Sequence, residues 1–215
     1  MVPQPDAQDS ELVQLVGRSS SHFTRVARMF AAELGVRYEF RVVADLLATS
    51  ADGFGDNPAL RLPVLKTSAG HWFGSLPICR ELARRAPRPL RIIWPEQLVT
   101  PLLSNAQELV LQAMSSEIEL IMSGKGAAPT PHLTKRRASL EGSVRWLDQH
   151  VDEAVAALPE RGLSFLEVTL FCLTEHLAFR EVLAMEGFQR LRVFAHQLAQ
   201  RPSAQATPFA FDAPS

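Results

Sequence analysis

This chain of 215 residues contains few cysteines and tyrosines, and neither sign of charge is in clear excess. It has 2 cysteines and 1 tyrosine, and its 22 lysines and arginines against 23 aspartates and glutamates give a formal net charge of −1. Two cysteines are too few for a disulfide framework, and a chain of this size does not need one, so we expect a reduced, intracellular protein. A non-specific nucleic-acid binder would carry a large basic excess, which the balanced charge excludes.

Long apolar runs are also missing. No segment approaches the roughly 18 consecutive apolar residues that a membrane-spanning helix needs. The most apolar stretch, 163–173, is short and contains Ser164 and Glu167. The first ten residues have neither the basic segment nor the apolar segment of a signal peptide. We therefore expect no membrane association and a cytoplasmic location.

What the chain does contain is the composition of a globular protein, with 47% apolar and 21% charged residues. Periodicity and breakers predict two regions of different kind. The first region is predicted to form strands and helices in the order β-α-β-α-β-β-α. The second region follows a proline-rich linker and is predicted to form helices alone. We expect an α/β domain over 10–86 and an all-helical domain over 97–201, with flexible tails at 1–9 and 202–215.

Three stretches carry the motifs of a known family. They are Asn57 to Leu65 (Asn-Pro-Ala-Leu-Arg-Leu-Pro-Val-Leu), Phe73 to Leu82 (Phe-Gly-Ser-Leu-Pro-Ile-Cys-Arg-Glu-Leu) and Leu163 to Leu170 (Leu-Ser-Phe-Leu-Glu-Val-Thr-Leu). Together with the element order, they resemble the glutathione S-transferase family, and the serine-type bacterial members in particular. The resemblance implies a thioredoxin-like N-terminal domain that binds glutathione. It also implies an all-helical bundle as the C-terminal domain, which completes the site for an electrophile.

The resemblance further implies which residues hold glutathione. The family's proline at the position of Pro63 is cis, and the backbone of the preceding residue, here Leu62, pairs with the cysteinyl unit. Ser75 matches the serine that holds the γ-glutamyl carboxylate, at a predicted helix start that favours an anion. The alternative is that Ser75 is only an N-cap, for which serine is among the best residues, and the two roles can also hold together. Arg61 matches a position that is often basic, and it would either meet the glycyl carboxylate or be a solvated surface residue.

Gly74 departs from the family's pattern, which has Glu or Gln at this position. The family's side chain here holds the glutamyl ammonium of glutathione. The departure leaves the strength of glutathione binding open.

The candidate catalytic residues lie in the serine-rich segment after the first predicted strand. The resemblance implies a Tyr, Ser or Cys here, whose side chain stabilises the glutathione thiolate. Neither Tyr nor Cys occurs in 17–26, and counting back from Arg25 aligns Ser20 with the family's serine, with Ser21 next to it. Arg18 to Ser20 is also similar to the Arg-Ser-Ser of the family's zeta class. A serine-rich N-cap without chemistry is the alternative.

Ser164 and Glu167 have the spacing of a capping box. In such a box the Ser164 side chain accepts from the N–H of residue 167, and the Glu167 carboxylate reaches back to the Ser164 N–H. The helix that follows is apolar nearly all round, which predicts the buried axis of the helical domain. We expect this pair to be structural.

Two functions remain as hypotheses. The first is a glutathione transferase that uses glutathione as co-substrate and joins its thiolate to a small hydrophobic electrophile, as in detoxification, or uses it in a reduction or isomerisation. The second is a non-catalytic protein of the same fold that binds a small molecule or a protein. The resemblance implies a homodimer. The histidine spacing does not suit zinc, so no metal site is predicted.

Overall fold

The computed structural model describes residues 12–213 apart from 125, 127 and 129. It divides into two compact units, of which the first comprises the described parts of 1–89 and 210–215, and the second those of 90–209. Residues 90–96, predicted as a linker, and 202–209, predicted as a tail, therefore belong to the second unit. The predicted tail at 1–9 lies outside the described residues.

The first unit contains a four-stranded sheet with two helices. In chain order its elements are β1 (Val13–Gly17), α1 (His22–Leu34), β2 (Tyr38–Val42), β3 (Val64–Thr67), β4 (Gly70–Phe73) and α2 (Ser75–Arg85). The strand order is β2-β1-β3-β4, with β1 parallel to β2, and with β3 antiparallel to both β1 and β4. A β-α-β unit followed by a hairpin and a helix is the thioredoxin-like arrangement. The predicted fold of this region is confirmed, except that the helix expected between the second and third strands is only a short 3-10 turn at Ala51–Phe54.

The central strand β1 carries the core of this unit. Leu15 lies opposite Phe40 of β2 on one side and Leu65 of β3 on the other, and it is 1% exposed. Strands that are covered on both faces are apolar at successive positions, which is why β1 shows only imperfect alternation in the sequence. Helix α1 packs against α2.

Helix α1 begins and ends where its capping residues predict. Ser21 is the N-cap, and its side chain accepts from the N–H of Thr24. Gly35 closes the helix in the left-handed conformation, with φ 65°, which glycine adopts without steric cost. Phe23 is half-buried, and the other apolar positions at helical spacing between the caps are buried. They are Val26, Ala27, Phe30, Ala31 and Leu34.

The second unit is built from helices and one short sheet. Its helices are α3 (Pro101–Met122), α4 (Pro131–Ala157), α5 (Phe165–Arg180), α6 (Gln189–Leu198) and α7 (Pro202–Gln205). Helix α5 packs against α3 and α6, and it is buried from Phe165 to Leu177 at all but two positions. The helical region and its buried axis are confirmed.

One feature of this unit differs from the sequence prediction. Strands β5 (Ile92–Ile93) and β6 (Leu163–Ser164) pair in parallel, although 92–93 was predicted to lie in a linker. Two-residue strands have no periodicity of their own, so this pairing is visible only when the two distant segments meet.

The segment after Arg201 is also more structured than a tail. Residues 202–205 form α7, and Ser203, Ala204 and Thr207 are buried. The Thr207 hydroxyl donates to the Ser203 carbonyl oxygen at 2.8 Å. The three prolines suggested a tail, but Pro202 stands at the first position of α7, where its missing N–H costs nothing.

Only half of the predicted capping box forms. Ser164 is the N-cap of α5, and its Oγ accepts from the Glu167 N–H at 3.5 Å. Among the described residues, however, the Glu167 carboxylate is bound by the guanidinium of Arg161 and not by the Ser164 N–H. This part of the prediction was wrong, because a guanidinium binds a carboxylate more strongly than a neutral N–H does.

Within the described residues, no helix combines the length and the apolar character that crossing a membrane requires.

Candidate functional site

The turn between β1 and α1 is held by hydrogen bonds of its own residues. The Arg18 N–H donates to Thr24 Oγ1 at 3.4 Å, and the Ser21 N–H donates to the Arg18 carbonyl oxygen at 3.1 Å. A Cβ on Gly17 would collide with the Thr24 side chain. Glycine at the end of β1 therefore lets α1 begin close to the strand, with the serines in the turn between them.

The two candidate serines have different surroundings. Ser21 Oγ accepts from the Thr24 N–H at 3.3 Å and so caps the helix. Ser20 precedes the cap and is 7% exposed. His22, which follows, is fully buried. Ser21 is therefore the structural cap, and both serines remain candidates for chemistry, because a hydroxyl that accepts from an N–H can still donate its own proton.

The loop before β3 is organised by Asn57. Its side-chain amide donates to the Arg61 carbonyl oxygen at 2.8 Å, and its side-chain oxygen accepts from the Ala59 N–H at 3.0 Å. Asn57 is 4% exposed, so a buried amide shapes the turn that leads to Leu62. The Leu62–Pro63 peptide bond is cis, as the resemblance implies.

The side chain of Leu62 is directed into the apolar core, whereas that of Arg61 is directed into solvent. The Leu62 side chain packs against the apolar cluster of Val16, Val43, Phe54 and Val64. Arg61 is exposed, and its guanidinium has no hydrogen-bond or ion-pair partner among the described residues. A guanidinium in this state is available to an anionic ligand.

The start of α2 lies against both the β3 segment and α1. The Gly74 N–H donates to the Pro63 carbonyl oxygen at 3.1 Å, and the Ser75 hydroxyl donates to the Phe23 carbonyl oxygen at 3.0 Å. Gly74 is the N-cap, with φ 81°, so Ser75 is the first helical residue and not the cap. The first N–H groups of a helix have no partner within it, and they form a site that favours an anion.

One carboxyl group near this region has a shifted pKa. Asp56 Oδ2 accepts from Lys66 Nζ at 2.7 Å and lies 3.5 Å from His71 Nδ1. The hydrogen bond from Lys66 lowers the pKa of Asp56 below its ordinary value of 3.8, and the charges of Lys66, His71 and Arg41 act in the same direction. Asp56 therefore stays ionised at neutral pH.

The structure brings several of the predicted residues into one domain. The Ser75 hydroxyl is hydrogen-bonded to Phe23 in the first turn of α1, close to Ser21. The neighbouring Gly74 N–H is hydrogen-bonded to Pro63. Ser164 and Glu167 lie in the other unit and are structural.

Sequence reasoning missed three residues that shape this site. Thr24 stabilises the turn between β1 and α1, and Asn57 stabilises the loop before β3. Each side chain bonds a backbone group within six residues along the chain, so a local sequence pattern could have indicated both. The third is Asp212, whose carboxylate accepts from the Ser19 N–H. No local signal predicts that contact, because 193 residues separate the two partners.

Comparison with known proteins agrees with this architecture. Residues 20–85 match the family model described as the glutathione S-transferase N-terminal domain. The comparison with curated proteins gives no match.

Solved structures of the same fold cover nearly the whole chain. A glutathione S-transferase from Methylobacillus flagellatus with GSH bound has a TM-score of 0.72 and 19% identity, covering 92% of this chain and 100% of its own. One from Methylobacterium radiotolerans in complex with glutathione sulfonate has a TM-score of 0.72 and 20% identity, covering 94% and 98%. A glutathione transferase family member from Pseudomonas fluorescens with bound glutathione has a TM-score of 0.72 and 19% identity, covering 92% and 99%.

A thioredoxin-like domain followed along the chain by a mostly helical unit is the glutathione S-transferase fold. The N-terminal domain matches the family model from residue 20 to residue 85, which includes the turn serines, the cis proline and the start of α2. Residues 20–85 are thus a glutathione S-transferase N-terminal domain, and the chain as a whole has the glutathione S-transferase fold, as the sequence resemblance indicates.

Proposed function

We propose that the protein is a glutathione transferase, which binds glutathione on its N-terminal domain and uses it as co-substrate. The observation that carries the proposal is the direct linkage of the three segments that the family uses. The Ser75 hydroxyl bonds Phe23 of α1, and the Gly74 N–H bonds Pro63. Neighbours of the same fold with glutathione or glutathione sulfonate bound support this choice of ligand.

In the proposed binding mode, each end of glutathione meets a different segment. The backbone N–H and C=O of Leu62 pair with the cysteinyl unit as an added strand would. The γ-glutamyl carboxylate lies at the N-terminus of α2, on the N–H groups of Ser75 and Leu76. The Ser75 hydroxyl can donate a further hydrogen bond to this carboxylate only if it no longer donates to the Phe23 carbonyl oxygen. Arg61 meets the glycyl carboxylate.

Ser20 acts on the sulfur in this proposal. A hydroxyl that donates to a thiolate favours the ionised form and so lowers the thiol pKa. The N-terminus of α1, which begins two residues later, has a positive field that acts in the same direction. The thiol proton passes to solvent, and the thiolate then forms a carbon–sulfur bond with the electrophile. In a substitution the bond to the leaving group breaks and its electron pair departs with that group; in an addition the π bond breaks and its pair moves to a neighbouring atom, which takes a proton from solvent.

Calorimetry with glutathione and with γ-glutamylcysteine tests the binding mode. The second compound lacks the glycyl carboxylate. We expect both to bind the wild-type protein, and Arg61→Ala to weaken glutathione about tenfold while leaving γ-glutamylcysteine unchanged. Arg37→Ala, which removes another exposed arginine of the same domain, is the matched control. Equal losses for both ligands would argue against this role of Arg61.

Rates of conjugation with a reactive aryl halide test Ser20. Ser20→Ala should lower the rate at saturating glutathione by about 10- to 100-fold, since it removes a hydrogen bond to a charged group. Ser19→Ala is the control, because the recorded bonds of Ser19 are made by its backbone. If Ser20→Ala and Ser21→Ala both leave the rate unchanged, a serine-type mechanism is wrong for this protein.

The second hypothesis, a non-catalytic binding protein, draws on Gly74. A glycine there provides no side chain for the glutamyl ammonium. The second hypothesis replaces the first if the wild-type protein shows neither glutathione binding nor conjugation.

We further propose a homodimer, which the family resemblance implies, and a cytoplasmic location. Light scattering of the purified chain would test the dimer, which doubles the mass of 23.8 kDa.

A further inference from the structure

The C-terminal segment meets the turn that carries Ser20. Both oxygens of the Asp212 carboxylate accept from the Ser19 N–H, at 3.0 and 3.3 Å. The same carboxylate lies 3.7 Å from Arg18 Nε, and the Ala210 N–H donates to the Ser19 carbonyl oxygen at 3.5 Å. Residues 210–212 therefore bond both backbone groups of Ser19.

This contact lies in a protected environment. The Asp212 side chain is 10% exposed and the Arg18 side chain 20%. A hydrogen bond to a carboxylate is stronger than one between neutral groups, and partial burial reduces the competition from water. Other bonds also tie this part of the chain to distant residues: Arg18 Nη1 donates to the Ala44 carbonyl oxygen at 3.4 Å, and the Phe23 carbonyl oxygen accepts from the Ser75 hydroxyl at 3.0 Å. Asp212 is the side chain that bonds the Ser19 N–H.

We propose that Asp212 is a positioning residue for the candidate catalytic turn. Its carboxylate holds the Ser19 N–H and so sets the backbone from which the Ser20 hydroxyl projects toward the glutathione sulfur. Asp212 itself touches neither substrate nor product in this assignment. The expected effect of Asp212 on the conjugation rate rests on the proposed function. Its expected effect on the turn does not depend on glutathione.

The first experiment measures the turn alone. Amide hydrogen exchange followed by NMR should show that Asp212→Ala lowers the protection of the Ser19 N–H by about tenfold. Asp212→Asn keeps an oxygen acceptor and should retain most of that protection. Amides in the middle of α1, such as Phe30, should be unaffected in both variants, which separates a local effect from general destabilisation. Unchanged protection in Asp212→Ala would overturn the proposal.

The second experiment measures catalysis. In Asp212→Ala we expect the conjugation rate at saturating glutathione to fall about fivefold to tenfold, with the glutathione Kd changed less than twofold. Asp212→Asn should restore at least half of the wild-type rate, because its amide oxygen can still accept from the Ser19 N–H, although without the added strength of the charge. Asp152→Ala, which removes an exposed carboxylate of the other unit, is the control.

The outcomes separate this inference from the proposed function. If the wild-type protein neither binds nor conjugates glutathione, the proposed function fails, and the exchange measurement alone supports or overturns the role of Asp212. If the wild-type protein is active and Asp212→Ala conjugates at the wild-type rate, the inference fails and the proposed function stands. An Asp212→Asn variant as slow as Asp212→Ala would also overturn it.

Discussion

The guanidinium of Arg161 donates to both carboxylate oxygens of Glu167, from Nε to Oε2 and from Nη2 to Oε1, each at 2.6 Å. The same guanidinium donates to the carbonyl oxygens of Val155, Leu158 and Pro159 at 3.1–3.3 Å. Arg161 therefore joins the end of α4 to the start of α5. Its partner is the residue that the sequence assigned to the second half of a capping box.

This pairing changes which residues should be energetically coupled. In a double-mutant cycle, Arg161→Ala and Glu167→Ala should show a coupling of about 1 kcal/mol or more in the free energy of unfolding. Ser164→Ala should cost about 1 kcal/mol through the lost cap. Its effect should add to that of Glu167→Ala within about 0.5 kcal/mol, because the two side chains share no partner.

Urea melts of these variants provide the measurement. Strong coupling between Ser164 and Glu167, with little between Arg161 and Glu167, would favour the reciprocal capping box after all.

Replacing Gly74 by glutamate should raise the affinity for glutathione and lower the stability of the protein. A Cβ at Gly74 would meet nothing within 4 Å, but the φ of 81° is unfavourable for any other residue. Gly74→Glu should tighten glutathione binding, since its carboxylate can pair with the glutamyl ammonium, and should cost about 1 kcal/mol of stability. Gly74→Ala carries the same strain without the carboxylate and is the control. Equal glutathione affinity in the two variants would contradict this role.

Asp56 should make stability depend on pH in the acid range. Its pKa in the folded protein lies below the ordinary 3.8, chiefly through the hydrogen bond from Lys66. The sign follows from linkage: the contribution is present above the unfolded pKa, and it is lost as the pH falls through the lowered folded pKa.

An NMR titration of the Asp56 carboxyl carbon checks this directly. Lys66→Ala should raise the pKa of Asp56, and His71→Ala should raise it less, because the charge of His71 is the smaller of these influences. A larger shift from His71→Ala would show that the hydrogen bond is not the leading cause.

Glu117 and His176 form a fully buried pair in the helical unit. His176 Nδ1 and Glu117 Oε1 are 2.8 Å apart, and both side chains are 0% exposed. Removing one member of such a pair is more costly than removing both, because it leaves a polar group buried without its partner. Glu117→Leu should therefore lower the free energy of unfolding by about 3 kcal/mol.

Two further variants make this comparison informative. Glu117→Gln retains an oxygen for the hydrogen bond and should cost less than Glu117→Leu. The double variant Glu117→Leu/His176→Leu should be more stable than Glu117→Leu alone. Thermal melts that rank the double variant lowest would contradict the expectation.

Apart from the helix expected between β2 and β3, which is only a 3-10 turn, the sequence alone determined the element order of the first unit and most helix ends, because these depend on interactions over a few residues. Ser21 and Gly35 bound α1 where their capping preferences predict, and the periodic apolar positions of α1 became its buried face. The family motifs predicted the cis Leu62–Pro63 bond and the helix that begins at Ser75. Neither required knowledge of distant contacts.

Only the tertiary structure decided which distant groups meet. The Ser19 N–H bonds Asp212 across 193 residues, and β5 pairs with β6 although about 70 residues separate them. Glu167 had two partners within reach and took the charged one. Periodicity and capping report interactions within about one helical turn. The choice among long-range or competing partners depends on which groups folding brings together and on the strength of each bond.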